Sequence, residues 1–311
     1  MATEESFLLA IREEPDDDGL RLIFADWLEE RGDVRGTLMR LQVTRSALAA
    51  EDPSRPELEQ QEKELLERYG TDFWLGPLLW RLRQWHFQRG LLHVEADGSF
   101  FDRPVLPRSF FRRPILQDAA SWVERLNLWS VSPAQIGQLA NCRYLTALTM
   151  LDLHFGRLGD LAAALLAGST PLAPLRWLDL SGNTIGDAGA RELAGSPYLT
   201  RLQALHLSTN AVGPEGAYAL AASRALSSLK TLDLSYNGLG DRGAAALAAS
   251  PHLAGLRALY LSGNDIRFPG IQALIRSPYL ANLNALHLSG NPVGETGVRL
   301  LHQHFGAAVR C

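Results

Sequence analysis

The stretch that decides the fold is LRWLDLSGNTI, residues 175–185, in which leucines precede an asparagine at fixed offsets. The arrangement returns every 27 residues, with leucines at offsets −8, −5 and −3 from the asparagine and an apolar residue at +2. The asparagines are Asn183, Asn210, Asn237, Asn264 and Asn291. Self-similarity at a fixed period indicates a stack of equivalent structural units.

Each unit is predicted to hold one strand followed by one helix. Leucines two residues apart fit a strand with one buried side. The recurring Gly-Ala-x-x-Leu-Ala of residues 189–194, 216–221 and 243–248 fits a helix with a face of small residues. Ser-Pro pairs follow several of these helices and are expected to end them, because proline cannot continue a helix. The same leucine spacing predicts about seven units over residues 123–311, of which the first is shorter.

The string L-x-x-L-x-L-x-x-N-x-L at this period resembles the leucine-rich repeat, and a 27-residue unit with a full helix resembles its ribonuclease-inhibitor-like class. The resemblance implies an α/β solenoid, a horseshoe with a parallel sheet inside and helices outside. Helices about 10 Å wide against strands about 4.8 Å apart are expected to curve it strongly. We interpret the asparagines as a structural ladder of buried amides that bond the loop backbone.

Residues 1–70 are predicted to form a small all-α domain. Apolar residues of 20–31 recur at helical spacing, and Gly32 is expected to end that helix in a left-handed conformation. Other helices are expected around residues 7–11, from about 37 to 50 with Leu38, Leu41 and Leu48 buried, and from about 56 to 69. The run FLLAIREEPDDDGLRLIFADWLEERGD, residues 7–33, with MRLQ at 39–42, closely resembles the bacterial repeat-companion domain. That resemblance implies architecture and no activity.

Residues 71–122 are predicted to form the N-terminal cap of the solenoid. A terminal repeat would otherwise expose its apolar flank. An aromatic ligand pocket is the alternative, and residues 91–95 are a candidate first strand. The aromatic residues of the segment are Trp74, Trp80, Trp85, Phe87, Phe100, Phe101, Phe110, Phe111 and Trp122.

Composition favours a soluble cytoplasmic protein. The net charge of −4 divides into −9 over residues 1–70 and +5 over residues 71–311, without the dense Lys/Arg stripe of a nucleic-acid-binding surface. Two cysteines, Cys142 and Cys311, are too few for a disulfide framework. The N-terminus lacks a signal-peptide pattern, and no apolar run is long enough to span a membrane. Neither nucleic acid nor a membrane is therefore expected as a partner.

The candidate binding surface consists of strand positions that the leucine motif leaves free. Successive side chains of a strand point to opposite sides, so these positions are expected to form columns on the concave face. Aromatic, acidic and histidine side chains there are typical of an interaction surface, although an ordinary solvated face is the alternative. The predicted partner-binding residues are Arg125, Asn127, Trp129, Asp152, His154, Phe155, Trp177, Asp179, His206, Asp233, Tyr236 and Tyr260.

Catalytic and metal sites are not expected. Asp152, His154, Asp179 and His206 are the candidates for a metal or acid–base cluster, but their spacing does not force three or four ligands to converge. The chain has no phosphate-binding Gly-rich loop, no G-x-S-x-G and no cysteine placed with a histidine for nucleophilic chemistry. No cofactor and no enzyme activity are therefore predicted.

The sequence predicts a non-enzymatic module that binds a protein partner on the concave face. Trp129, Phe155 and Trp177, which cluster in the first units, are the expected anchors, and the aspartates of the same columns are expected to select a basic segment. One alternative is a regulator of a partner enzyme, either GTPase-activator-like, as some members of the resembled class are, or inhibitor-like. Another is a self-assembling structural protein that associates through the C-terminal end of the solenoid, where the apolar residues of 300–305 have no polar cap.

Overall fold

A computed structural model describes residues 2–75, 82–101 and 119–311, which divide into two compact units. Unit 1 comprises Met1–Asn127 and Cys142–Thr149, and unit 2 comprises Leu128–Asn141 and Met150–Cys311. The predicted helical domain and the predicted cap thus fall within the same compact unit. Trp80, Phe110, Phe111 and the side chain of Phe101, which belong to that cap, lie outside the described residues.

Helices form the first part of unit 1. They are α1 (Glu4–Glu13), α2 (Asp18–Glu29), α3 (Arg35–Ala47) and α4 (Arg55–Leu75). The Asp17 carboxylate begins α2 by accepting hydrogen bonds from the backbone of Gly19 and Leu20. Gly32 lies just beyond this helix with φ +72°, the left-handed conformation that the sequence predicts. Gly70, with φ +69°, interrupts α4, so the helix predicted to end near residue 69 is followed by a further short helical segment.

The third helix differs from its prediction in its bounds and in its buried side. It spans residues 35–47 instead of about 37–50, and it begins where Asp33 accepts a hydrogen bond from the backbone of Arg35 at 3.0 Å. The expectation that Leu41 and Leu48 are buried was wrong, because both are half-buried. The buried side is rotated by about one residue and consists of Leu38, Met39, Gln42 and Val43.

Unit 1 also contains an antiparallel hairpin that the sequence analysis predicted in part. The predicted strand at residues 91–95 lies within β2 (Leu91–Asp97), whereas its partner β1 (Leu82–Gln88) was not predicted. Arg89 (φ +51°) and Gly90 (φ +83°) form the turn. Gln42 joins the hairpin to α3, since its amide donates to the Phe87 carbonyl at 3.0 Å and accepts from the Gly90 N–H at 2.8 Å.

A buried charge lies at the centre of unit 1. Arg21 is 1% exposed, and its Nη2 contacts Oε1 of Glu124 at 3.2 Å. Glu124 lies on β3 (Val123–Trp129), and its other oxygen is 3.3 Å from Nε2 of His93. Burial lowers the pKa of Arg21, and the nearby Glu124 carboxylate partly offsets this effect.

Unit 2 repeats one strand and one helix. After α5 (Pro133–Ala140), the strands pair parallel with the middle leucines aligned, as the leucine spacing predicts. The strands are β4 (Met150–Asp152), β5 (Trp177–Asp179), β6 (Ala204–His206), β7 (Thr231–Asp233), β8 (Ala258–Tyr260) and β9 (Ala285–His287). The helices are α6 (Gly159–Ala167), α7 (Asp187–Ala194), α8 (Pro214–Ala222), α9 (Gly240–Ala248), α10 (Phe268–Ile275) and α11 (Gly294–Phe305).

A short strand follows the last helix. This strand, β10 (Val309–Arg310), pairs parallel with β9, so the edge of β9 is partly covered. Leu301 is buried, whereas Leu300 and Phe305 are half-buried. The apolar residues at this end of the repeats are therefore partly covered by the chain itself.

The asparagines link each repeat to the one before it. Asn264 is 0% exposed, and its Nδ2 donates to the carbonyls of Leu234 (2.8 Å) and Leu261 (3.1 Å). Its Oδ1 accepts from the backbone N–H groups of Asn237 (3.2 Å) and Leu239 (3.4 Å). Corresponding bonds between repeats are made by Asn183, Asn210, Asn237 and Asn291.

Two further ladders were not predicted from the sequence. In one, an aspartate near the start of a helix accepts from two backbone N–H groups of the next repeat; for Asp187 these are Gly213 and Gly216, both at 2.7 Å. In the other, a serine after a helix donates to a carbonyl of the preceding repeat, as Ser196 does to Ala167 at 2.6 Å. These bonds satisfy buried polar groups between helices and keep successive repeats in register.

Candidate functional site

The exposed positions of the unit 2 sheet form two rows, which we call the strand face. In each strand from β4 to β9 the middle leucine is buried and its neighbours are half-buried. The first row is Asp152, Asp179, His206, Asp233, Tyr260 and His287, and the second is Met150, Trp177, Ala204, Thr231, Ala258 and Ala285. The order of both rows agrees with the leucine spacing.

The other predicted binding residues have different surroundings. Arg125 and Asn127 are half-buried in the part of β3 that belongs to unit 1, whereas Trp129 is half-buried in unit 2. Phe155 and Tyr236 follow β4 and β7, and they are 70% and 64% exposed. These two rings are the predicted binding residues with the largest exposed apolar surface.

The aspartates of the first row also have a structural role that sequence reasoning missed. Each accepts a hydrogen bond from the backbone N–H two residues later, at the end of its own strand. Oδ1 of Asp179 lies 2.7 Å from the Ser181 nitrogen, and the equivalent distances at Asp152 and Asp233 are 3.2 Å and 2.8 Å. The available signal was Asp-Leu-Ser at Asp179 and Asp233, whereas Asp152 is followed by Leu-His. Each carboxylate is therefore held in a fixed orientation on the strand face.

His206 lies between aspartates in the first row. Its Nδ1 is 3.9 Å from Oδ2 of Asp233, and its ring is 5.4 Å from the ring of Trp177. Burial lowers the pKa of His206, but the carboxylates of Asp233, Asp179 and Asp152 outweigh this effect, so the pKa is raised overall. Burial likewise acts to raise the pKa of Asp233, yet the nearby His206 imidazole and the hydrogen bonds from Ser235 bring it below its usual value. The imidazole of His206 and the carboxylate of Asp233 therefore favour each other's charged forms.

This pair predicts a pH-dependent contribution to stability. Because the pKa of His206 is raised in the folded state, its contribution to stability is fully present below its unfolded-state pKa of 6.5. This contribution is lost as the pH rises through the folded-state pKa. Asp233 contributes to stability at pH values above its unfolded-state pKa of 3.8. This contribution is lost as the pH falls through its folded-state pKa, which is lower. We therefore expect Asp233→Asn to lower the melting temperature more at about pH 5.5 than at about pH 8.5.

Asp265→Asn is the matched control, since Asp265 forms an exposed ion pair with Arg267 at 3.1 Å that involves no histidine. Its effect on melting temperature should be the same at both pH values. An effect of Asp233→Asn that does not change with pH would contradict the pairing.

The row contains other polar and aromatic pairs. Nδ1 of His154 is 2.6 Å from Oδ1 of Asp152, and the rings of Tyr260 and His287 are 4.6 Å apart. Across the described residues, no three His, Cys, Asp or Glu side chains are grouped so that they could hold a metal ion. One of these pairs lies within a single repeat and the other joins neighbouring strands.

The residue that precedes each ladder asparagine, or Gly156 at the equivalent place of the β4 repeat, has a left-handed backbone. Its φ is +54° at Phe155, +68° at Gly182, +55° at Thr209, +56° at Tyr236, +64° at Gly263 and +76° at Gly290. Glycine adopts this conformation freely, whereas other residues lose about 1 kcal/mol or more. The two rings cover glycines of the next repeat, since a methyl group on Gly182 would overlap Phe155 and one on Gly263 would overlap Tyr236. Phe155 and Tyr236 therefore occupy positions where glycine would fit the backbone better.

Unit 1 contains a separate groove with aromatic walls. Its volume is about 410 Å³, and Tyr69, Phe73 and Trp122 are among its lining residues. Trp122 is held in place, because its Nε1 donates to Glu4 at 2.6 Å and Arg35 stacks on its ring at 4.5 Å. Several aromatic residues predicted to form a cap thus belong to the unit 1 core, while Tyr69 and Phe73 remain exposed at the groove.

Among the described residues, no helix has both the length and the apolar character needed to cross a membrane.

Comparison with known proteins supports the repeat assignment. Residues 173–194, 198–221, 225–248 and 279–301 match a family model described as Leucine Rich repeat. Among solved structures, an internalin (inlF) from Listeria monocytogenes str. 4b F2365 is similar at 20% identity with a TM-score of 0.39. The match covers 63% of this chain and 55% of the internalin chain, so this chain spans about half the length of that protein. No curated protein matches the chain.

All four matched ranges lie in unit 2. The assignment of residues 7–42 to the repeat-companion domain stays a prediction. The assignment of the repeats to the ribonuclease-inhibitor-like class stays a prediction as well. Unit 2 of this protein is built from leucine-rich repeats.

Proposed function

We propose that this chain is a non-enzymatic protein-binding module whose strand face binds a basic segment of a partner protein. The observation that supports this proposal is the row Asp152, Asp179, His206 and Asp233 beside Trp177 on one exposed face. Asp152 and Asp179 lie on adjacent strands, which are about 4.8 Å apart, so their carboxylates can together attract one Lys or Arg side chain. Tryptophan at the same place supplies the kind of anchor that dominates binding energy.

The fixed orientation of the carboxylates favours such binding. Asp179 lies between Asp152 and His206 in the row, and the Ser181 backbone holds one of its oxygens. A side chain that is already ordered loses little entropy when a partner binds. The same face would therefore combine charge selection with preorganisation.

The experiment begins with affinity purification from the native host and mass spectrometry to identify the partner. Hydroxyl-radical footprinting of the full chain with the purified partner then measures which side chains become covered. We expect lower oxidation at Trp129, Phe155, Trp177 and Tyr236, because these aromatic residues would lie in the interface. Tyr218 on α8 is the matched control, since it is 65% exposed on a helix, and its oxidation should not change.

Protection of other parts of the chain would count against the proposal. Protection confined to helices of unit 2 or to unit 1 would place the binding site elsewhere. Protection confined to residues 294–310 by a second copy of the chain would favour the self-assembling alternative. If the partner is an enzyme whose activity changes on binding, the regulator alternative gains support while the location of the interface is still decided by footprinting.

A further inference from the structure

We propose that Phe155 and Tyr236 stack on two arginine side chains that lie four residues apart in one extended segment of the partner. This inference rests on the proposed function and specifies which side chains of the partner are recognised. The two rings would recognise the spacing of the two arginines, and the aspartates would recognise their charge.

The first observation is that the two rings are exposed despite an unfavourable backbone. Phe155 and Tyr236 are 70% and 64% exposed, and both residues have φ near +55°. At the equivalent position three other repeats have glycine, namely Gly182, Gly263 and Gly290, and two have the small side chains of Ser130 and Thr209. A conformation that disfavours a side chain is characteristic of functional sites. Contact with Gly182 and Gly263 fixes one side of each ring and leaves the rest of the ring exposed.

The second observation is the distance between the rings. They occupy equivalent positions after β4 and β7, three strand spacings or about 14 Å apart. In an extended chain, residues i and i+4 lie on the same side and about 13 Å apart. A helix does not fit as well, because its side chains return to the same side at about 10.5 Å and 16.5 Å.

The third observation is that an aspartate precedes each ring in the sequence and that another lies between them in the first row. Each ring comes three residues after an aspartate of the first row, Asp152 for Phe155 and Asp233 for Tyr236, and Asp179 lies between these two in the row. A guanidinium group can stack on an aromatic face while its N–H groups bind a carboxylate. Arginine therefore fits this combination of ring and acid better than lysine.

The test uses fluorescein-labelled peptides of glycine and serine that carry two arginines at spacings i,i+2, i,i+4 or i,i+6. Their binding to the full chain is measured by fluorescence anisotropy at low salt. We expect the i,i+4 peptide to bind about threefold to fivefold more tightly than the other two, because it alone engages both rings. A peptide with two glutamates at i,i+4 is the charge control.

Phe155→Gly and Tyr236→Gly should each remove this preference for spacing. Their melting temperatures should stay within about 3 °C of the parent value, because glycine relieves the left-handed backbone while the lost ring contact is small. Thr209→Gly, at the equivalent position between the two rings with φ +55°, is the matched control and should keep the preference.

The outcomes separate this inference from the proposed function. Equal binding of the three arginine peptides, weakened uniformly by Asp179→Asn, would overturn the two-ring inference and leave a basic partner in place. A fall of about 8 °C or more in the melting temperature of both glycine variants would give the rings a structural role and overturn it too. Arginine peptides that bind no better than the glutamate peptide would overturn both the inference and the basic nature of the partner.

Discussion

Asn264→Ala is expected to lower the free energy of unfolding by about 3 to 5 kcal/mol. The backbone N–H groups of Asn237 and Leu239 both donate to Oδ1 of Asn264, so both would lose their acceptor inside the repeat stack. The carbonyls of Leu234 and Leu261 would each keep one donor, from Asn237 and Asn291 respectively. The predicted cost therefore comes mainly from one buried and one half-buried donor without partners, together with the hydrogen bonds that are lost.

Asn282→Ala is the matched control for this prediction. Asn282 is exposed and donates one hydrogen bond, to the Ala254 carbonyl at 3.1 Å, so its replacement should change stability by less than about 1 kcal/mol. Urea unfolding followed by circular dichroism measures both variants. Because stability in a repeat stack depends on contacts between neighbours, Asn264→Ala should shift the transition of several repeats together. Equal midpoints for the two variants would show that the ladder is not a major source of stability.

The repeats could be predicted from the sequence because their signal is local and recurs. Leu178 and Leu180 define the buried side of a strand, and a shift of 27 residues places Leu205 and Leu207 beside them. The register of the parallel strands then follows from the period alone. The ladder aspartates were missed because Asp187 bonds Gly213 and Gly216 in the next repeat, and such pairing is visible only when the stack is assembled.

Unit 1 was harder to predict because its contacts join distant segments. Arg21 is paired with Glu124, and nothing in the local sequence of either residue indicates a buried ion pair. Strand β1 was missed because its alternation is interrupted, since Arg83 and Gln84 are both exposed and the pairing with β2 is irregular between Leu82 and Gln84. The buried side of α3 was misplaced because Gln42 is polar yet fully bonded in the core.

The candidate site could be predicted as two rows of residues, but not as a set of contacts. The spacing gives the neighbours of His206 along the row, whereas its pairing with Asp233 and its tilted ring contact with Trp177 depend on side-chain rotamers. The left-handed backbone at Phe155 and Tyr236 also had a sequence signal that was not used, namely glycine at the equivalent position of other repeats. Comparing repeats position by position would have shown that Phe155 and Tyr236 place large aromatic side chains where the other repeats have glycine or a small residue.

The second large effect is expected for binding. Replacing Trp129 and Trp177 with alanine together should weaken partner binding at least about 100-fold, because each tryptophan at the centre of an interface contributes about 2 kcal/mol or more. Trp177 adjoins His206 and lies in the row beside the aspartates, so its loss would remove apolar contact next to the charged groups. Both tryptophans are half-buried, so the unfolding midpoint should change little.

The affinity of the identified partner for this double variant, measured by isothermal titration calorimetry beside the parent chain and Tyr218→Ala, tests the strand face most directly. Binding through that face predicts a dissociation constant raised at least about 100-fold in the double variant and unchanged in Tyr218→Ala. A double variant that unfolds at the parent midpoint and binds the partner with the parent affinity would contradict it.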